Sequence, residues 1–160
     1  MRIKQLVRFL QYEYSCGTRA TPYIKDALNY YYEKHNKQEM ERNKILLNQF
    51  KSNKNYSRIS LHNGHDFEIA LISWDRNATS GLHQHYSDCG FILLDGNLFE
   101  TKYDVNKDLR DTHDIKPGEI STVAKGLYHN VFNIHTDKSF SLHVYDNRDL
   151  FETNYNFVVG

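Results

Sequence analysis

Cysteine is scarce in this chain, with Cys16 and Cys89 making up the whole complement in 160 residues. Two cysteines are too few for a disulfide framework, so the fold has to rest on a packed core, and their number fits a reducing compartment. Net charge is missing as well. Twenty Lys plus Arg balance twenty Asp plus Glu, which excludes a global field that would gather nucleic acid or an anionic membrane. No run approaches the roughly 18 apolar residues of a membrane span, and Met1-Arg2-Ile3-Lys4 opens an amphipathic segment instead. Internal repeats, low-complexity tracts and linkers are absent too. The expectation is one cytoplasmic, monomeric domain, long enough to bury about two-thirds of the surface its unfolded chain would expose.

What is present falls into two halves. Ile3, Leu6, Val7 and Leu10 share one helical face and predict a first helix. Thr21-Pro22 supplies an N-cap hydroxyl and a first-turn proline for a second, carrying Ile24, Leu28 and Tyr31, and residues 39–50 read as a third. The cluster Tyr30-Tyr31-Tyr32 suits helix packing better than base stacking, because no basic stripe accompanies it. From Tyr56 onward the pattern changes to period two or to short runs rich in β-branched and aromatic residues, at 67–74, 91–94, 98–103, 120–123, 131–134 and 140–145. Asp95-Gly96-Asn97 and Lys116-Pro117-Gly118 provide turns between them. The order predicts a mainly-β fold: an antiparallel barrel or jelly roll over residues 53–160, under a helical cap formed by residues 1–52.

His83 and His85 lie two positions apart in Gly81-Leu82-His83-Gln84-His85. On extended chain both imidazoles project from one face, an arrangement that chelates a metal, and neutral imidazole offers its lone pair without prior deprotonation. A third donor is needed, and either His129 or His143 can supply it, since each adjoins a strand-like run. Ser141, His143 and Tyr145 alternate along one strand and put three polar groups on one face, an expensive arrangement to bury without purpose. His35, His62, His65, His113 and His135 lie in polar segments and read as surface residues.

A two-histidine cluster, a strand, a Gly turn and a further histidine after a Pro-Gly turn resemble the paired metal motifs of the cupin superfamily. More narrowly, Gly81-Leu82-His83-Gln84-His85, Cys89, Leu93-Leu94-Asp95-Gly96-Asn97-Leu98, Gly126-Leu127-Tyr128-His129-Asn130-Val131 and Ser141-Leu142-His143-Val144-Tyr145 resemble cysteine dioxygenase. Tyr56-Ser57-Arg58 and Trp74 stand where that family places its Tyr-x-Arg clamp and a tryptophan. The resemblance implies Fe(II) held by His83, His85 and His129, with Ser141, His143 and Tyr145 as a relay. It implies L-cysteine and O2 as the partners and cysteine sulfinic acid as the product, a state cells do not ordinarily reverse. Arg58, aided by the Tyr56 hydroxyl, would meet the substrate carboxylate with its planar fork. Mercaptopropionate dioxygenases carry glutamine in that place, so position 58 bears on substrate choice. Cys89, or Gly90 beside it, stands where animal members carry the cysteine of a thioether crosslink to the relay tyrosine, here Tyr145. One departure is plain: Asp146-Asn147-Arg148 replaces the family's Ser-Pro-Pro, so the loop beside the pocket is expected to run differently. Two other readings stand beside this one: the same chemistry on another thiol, such as mercaptopropionate, cysteamine or a protein N-terminal cysteine, or a metal-binding cupin without turnover.

Overall fold

The computed structural model describes residues 3–17, 20–34, 37–49 and 55–147. Helices come first: α1 (Ile3–Ser15), α2 (Ala20–Lys34) and α3 (Lys37–Gln49). Leu6 and Leu10 of α1 are fully buried, as their spacing requires, and α2 buries Tyr23, Ile24, Ala27, Leu28 and Tyr31 along one stripe. The second helix starts one residue ahead of Thr21, which leaves Pro22 in the first turn, where a missing N–H costs nothing.

Strands follow in the order β1 (Tyr56–Asn63), β2 (Phe67–Trp74), β3 (His83–Gln84), β4 (Cys89–Asp95), β5 (Leu98–Tyr103), β6 (Leu109–Ile115), β7 (Ile120–Val123), β8 (Tyr128–Asn133) and β9 (Ser139–Asp146). They form two antiparallel sheets, β1-β2-β9-β4-β7 and β3-β8-β5-β6. No hydrogen-bonded pairing of strands joins the two sheets among the described residues.

Both faces of the five-stranded sheet are covered. Phe67, Ile69, Leu71, Ile92, Leu94, Phe140, Leu142 and Val144 turn toward the helices and form one core with them. Ile72, Trp74, Phe91 and Leu93 turn the other way and meet Leu98, Ile115 and Val131 of the second sheet. Double coverage is why β2 and β4 read as nearly continuous apolar runs and why β9 is buried throughout although it alternates polar and apolar residues, whereas β8 alternates buried and half-buried residues. Gly90 allows the helical cap to sit close, because a Cβ there would lie 2.7 Å from Ile24 Cγ2.

Two elements differ from the sequence expectation. Strand β6, Leu-Arg-Asp-Thr-His-Asp-Ile, is a mostly exposed edge paired only to β5, and its charges, which hide it from a hydrophobic pattern, are what keep such an edge from pairing with other chains. Strand β8 starts at Tyr128, so His129 lies within the ladder and not in the loop before it. His62, expected at the surface, is half-buried with its ring 4.7 Å from that of Phe67. No helix among the described residues is long and apolar enough to cross a membrane.

Candidate metal centre

The site lies on the inner faces of both sheets. His83 pairs directly with His129 across β3 and β8, which places the two side chains on one face, and His85 follows just beyond the end of β3. Three Nε2 atoms converge as a result, at 3.1 Å (His83 to His85), 3.0 Å (His85 to His129) and 3.1 Å (His129 to His83). The outer nitrogens fix the tautomers: His83 Nδ1–H donates to the Gly81 carbonyl at 2.8 Å, and His129 Nδ1–H donates to Glu100 Oε2 at 2.7 Å. Both therefore present a bare Nε2 lone pair to the other, an arrangement that repels unless a cation sits between them. Two metal–nitrogen bonds of roughly 2.1 Å at right angles span about 3.0 Å, so this triangle suits a single transition-metal ion. Burial, then the neighbouring His129, lowers the His83 pKa, and burial, with His129, His83 and Arg58, pushes His85 down to about 3. Both are neutral donors at pH 7. The histidines cluster as a candidate metal site, with His129 and not His143 as third member.

Glu100 is a residue that sequence reasoning missed. It is fully buried, and its carboxylate accepts from His129 Nδ1 and from Ser121 Oγ, with Lys102 Nζ 3.7 Å away. A carboxylate behind a ligating imidazole fixes the ring and raises its basicity. A signal was available: Leu98, Glu100 and Lys102 alternate on the inward face of β5.

His143 belongs to a second constellation on β9. Trp74 Nε1–H donates to Ser141 Oγ at 2.8 Å, and Ser141 Oγ lies 2.7 Å from His143 Nε2. Indole can only donate, and the serine proton has no other acceptor among the described residues, so it points at His143 Nε2. That leaves the imidazole proton on Nδ1, facing Tyr145 Oη at 3.4 Å. The phenolic proton of Tyr145 is then free to donate outward. Burial holds His143 neutral, well below its ordinary pKa, and raises the Tyr145 pKa, so at neutral pH the network carries no charge of its own. The Tyr145 ring lies 5.4 Å from that of His85, which places the relay beside the histidine cluster.

Arg58 stands at the open side of this group, on edge strand β1, its guanidinium carbon 5.6 Å from the centre of the Tyr145 ring. Burial works against its charge, yet Glu68 and Tyr145 more than offset that and leave its pKa raised. Arg58 Nη2 donates to Glu68 Oε1. Tyr56, two residues earlier on the same face, packs its ring 5.5 Å from that of Trp74. Register also separates the two candidates for the crosslink position: Cys89 pairs with Tyr145, and so faces the site, while Gly90 pairs with Val144 and faces the cap. Beyond Tyr145 the chain continues as strand through Asp146, which accepts a hydrogen bond from Tyr23 Oη at 2.9 Å; Asn147 N then donates to the Asp66 carbonyl at 2.8 Å. Arg148 lies outside the described residues.

Solved structures of similar shape include cupins. A cupin domain from Schizosaccharomyces pombe superposes with a TM-score of 0.57 at 15% identity, over 71% of this chain and 80% of its own. A cupin superfamily protein from Desulfitobacterium hafniense gives 0.51 at 16% identity, over 63% and 86%. An oxalate oxidase gives 0.54 at 15% identity, over 61% of this chain and 54% of its own. At such identities the likeness is one of fold. The sequence pattern of cysteine dioxygenase type I, by contrast, matches residues 27–148, a span that takes in the histidine cluster, the relay and Arg58. A match over that much of the chain shows the family, one of dioxygenase-type oxidoreductases, and this chain belongs to it.

Proposed function

We propose that this protein is an iron-dependent thiol dioxygenase that oxidises free L-cysteine with O2 to cysteine sulfinic acid. One observation carries the reading: the three convergent Nε2 atoms of one sheet and the phenol of Tyr145 on the other both face the same interior, with Arg58 at its edge. His83, His85 and His129 would hold the ion, with Glu100 fixing His129 from behind. Bound Fe(II) supplies a positive centre that favours the thiolate form of a ligand sulfur and the redox chemistry of O2. The rest falls to the protein. Arg58, with Tyr56 beside it, orients the carboxylate end of the substrate, which selects an amino acid thiol over a bare one. Tyr145 donates its phenolic proton toward the reacting atoms. Ser141 and His143, oriented by the Trp74 indole, hold that phenol in position.

Cys89 and Tyr145, paired across β4 and β9, are the partners of a proposed thioether link. Its formation joins Cys89 Sγ to a ring carbon of Tyr145 and breaks the S–H and one ring C–H bond, the two hydrogens with their two electrons reducing O2 to hydrogen peroxide, and intact-protein mass spectrometry would show the loss of two hydrogens in wild type and none in Cys89→Ser.

Oxygen uptake by anaerobically prepared, Fe(II)-loaded protein tests the whole reading. Uptake on adding L-cysteine, matched by sulfinate and abolished by His129→Ala, supports it. Uptake with mercaptopropionate or cysteamine but not with L-cysteine moves the substrate, and silence with every thiol favours a binding cupin.

A further inference from the structure

The clamp residue of this site is not free. Glu68 stands directly opposite Tyr145 in the β2–β9 ladder, so its side chain faces the same interior as the relay. Its Oε1 accepts from Arg58 Nη2, and its Oε2 accepts from Ser60 Oγ at 3.1 Å. Glu68 is the more buried member of the pair, with 17% of its side chain exposed against 37% for Arg58. The carboxylate is thus anchored at both oxygens, and the guanidinium at the mouth is already neutralised. A substrate carboxylate approaching Arg58 meets a competing negative charge and a fork already engaged by Glu68 and Tyr145, whereas a substrate ammonium approaching the same place meets attraction from Glu68.

We infer that Glu68 is a specificity-determining residue which competes with the substrate carboxylate for Arg58 and so admits small thiols bearing an ammonium group alongside those bearing a carboxylate. The inference rests on the thiol dioxygenase reading and adds to it the residue that sets the carboxylate preference. It has a consequence for L-cysteine: the carboxylate of the amino acid has to displace Glu68 from Arg58 before it gains the clamp.

Anaerobic calorimetric titration of the Fe(II)-loaded protein, without turnover, measures this. Mercaptopropionate carries only a carboxylate and cysteamine only an ammonium, so the ratio of their Kd values isolates the end group from the shared thiol. Glu68→Gln should tighten mercaptopropionate relative to cysteamine by about tenfold, the weight of one charge-assisted hydrogen bond at a partly wet site. Ser60→Ala, which removes the Oε2 anchor and leaves both charges in place, should move the ratio the same way by less. In the Arg58→Gln background, Glu68→Gln should no longer tighten mercaptopropionate, because that part of the shift runs through the guanidinium, while the loss of cysteamine's attraction to Glu68 persists. An unchanged ratio in Glu68→Gln, or one moved toward cysteamine, overturns the inference while leaving the dioxygenase reading intact. Absence of binding by any of these thiols to the iron-loaded wild type overturns both.

Discussion

At the scale of single residues, the cluster is held as much by what stands behind the histidines as by the histidines. Glu100 fixes His129 through Nδ1, so Glu100→Ala should weaken metal binding by roughly 10- to 100-fold, with Glu100→Gln, which keeps an acceptor but no charge, falling between. Competition with a chromophoric chelator measures this without turnover, and equal affinity in all three proteins would remove Glu100 from the site. Arg58→Gln should raise KM for L-cysteine by about tenfold or more while leaving kcat less affected, since it removes an orienting contact and not a donor at the reacting atoms. His83 and His85 were legible from spacing alone. His129 and His143 were not separable by local sequence, because both sit in strands with similar flanks; only register, which sets His83 against His129 and puts His143 in the opposite sheet, decides between them. Glu68 and Glu100 escaped notice for the opposite reason. A charged residue within a strand ordinarily faces water, and what buries Glu100 and half-buries Glu68 is supplied by other strands.

Among the elements, the five-stranded sheet does two jobs, carrying the helical cap on one face and the site on the other. Alternation along β4 makes the division testable. A side chain at Gly90 would strike Ile24 Cγ2 on the cap side, with Thr122 Cγ2 at 3.2 Å and the Ser121 carbonyl at 3.3 Å closing the other directions. Gly90→Val should therefore cost about 1–3 kcal/mol in urea unfolding, the usual penalty for overpacking, whereas an unchanged midpoint would mean that the cap does not press on β4. In this sheet β2 and β4 were visible in the sequence because two-sided burial makes them largely apolar, and β9 because Phe140, Leu142 and Val144 alternate along it. Strand β6 was invisible because an exposed edge needs charge more than it needs a hydrophobic pattern.

For the whole molecule, the buried relay ties folding stability to pH. An unfolded chain protonates His143 near pH 6.5, while the folded protein keeps it neutral to well below that value. Below about pH 6.5 the unfolded state binds more protons, so this contribution is fully present above that pH and is lost as pH falls, by up to about 1.4 kcal/mol per pH unit. Melts of the metal-free protein at about pH 7.5 and about pH 5.5 should show a smaller acid loss in His143→Gln than in wild type, and equal losses would mean that the buried imidazole is not the source. The histidine cluster, the relay and Arg58 all face one interior between the two sheets, and the claim that this interior performs thiol dioxygenation is tested most directly by supplying isotopically heavy dioxygen to the iron-loaded protein with L-cysteine. Sulfinate carrying two heavy oxygens on sulfur is the predicted product; disulfide, or sulfinate whose oxygens come from water, would contradict the account.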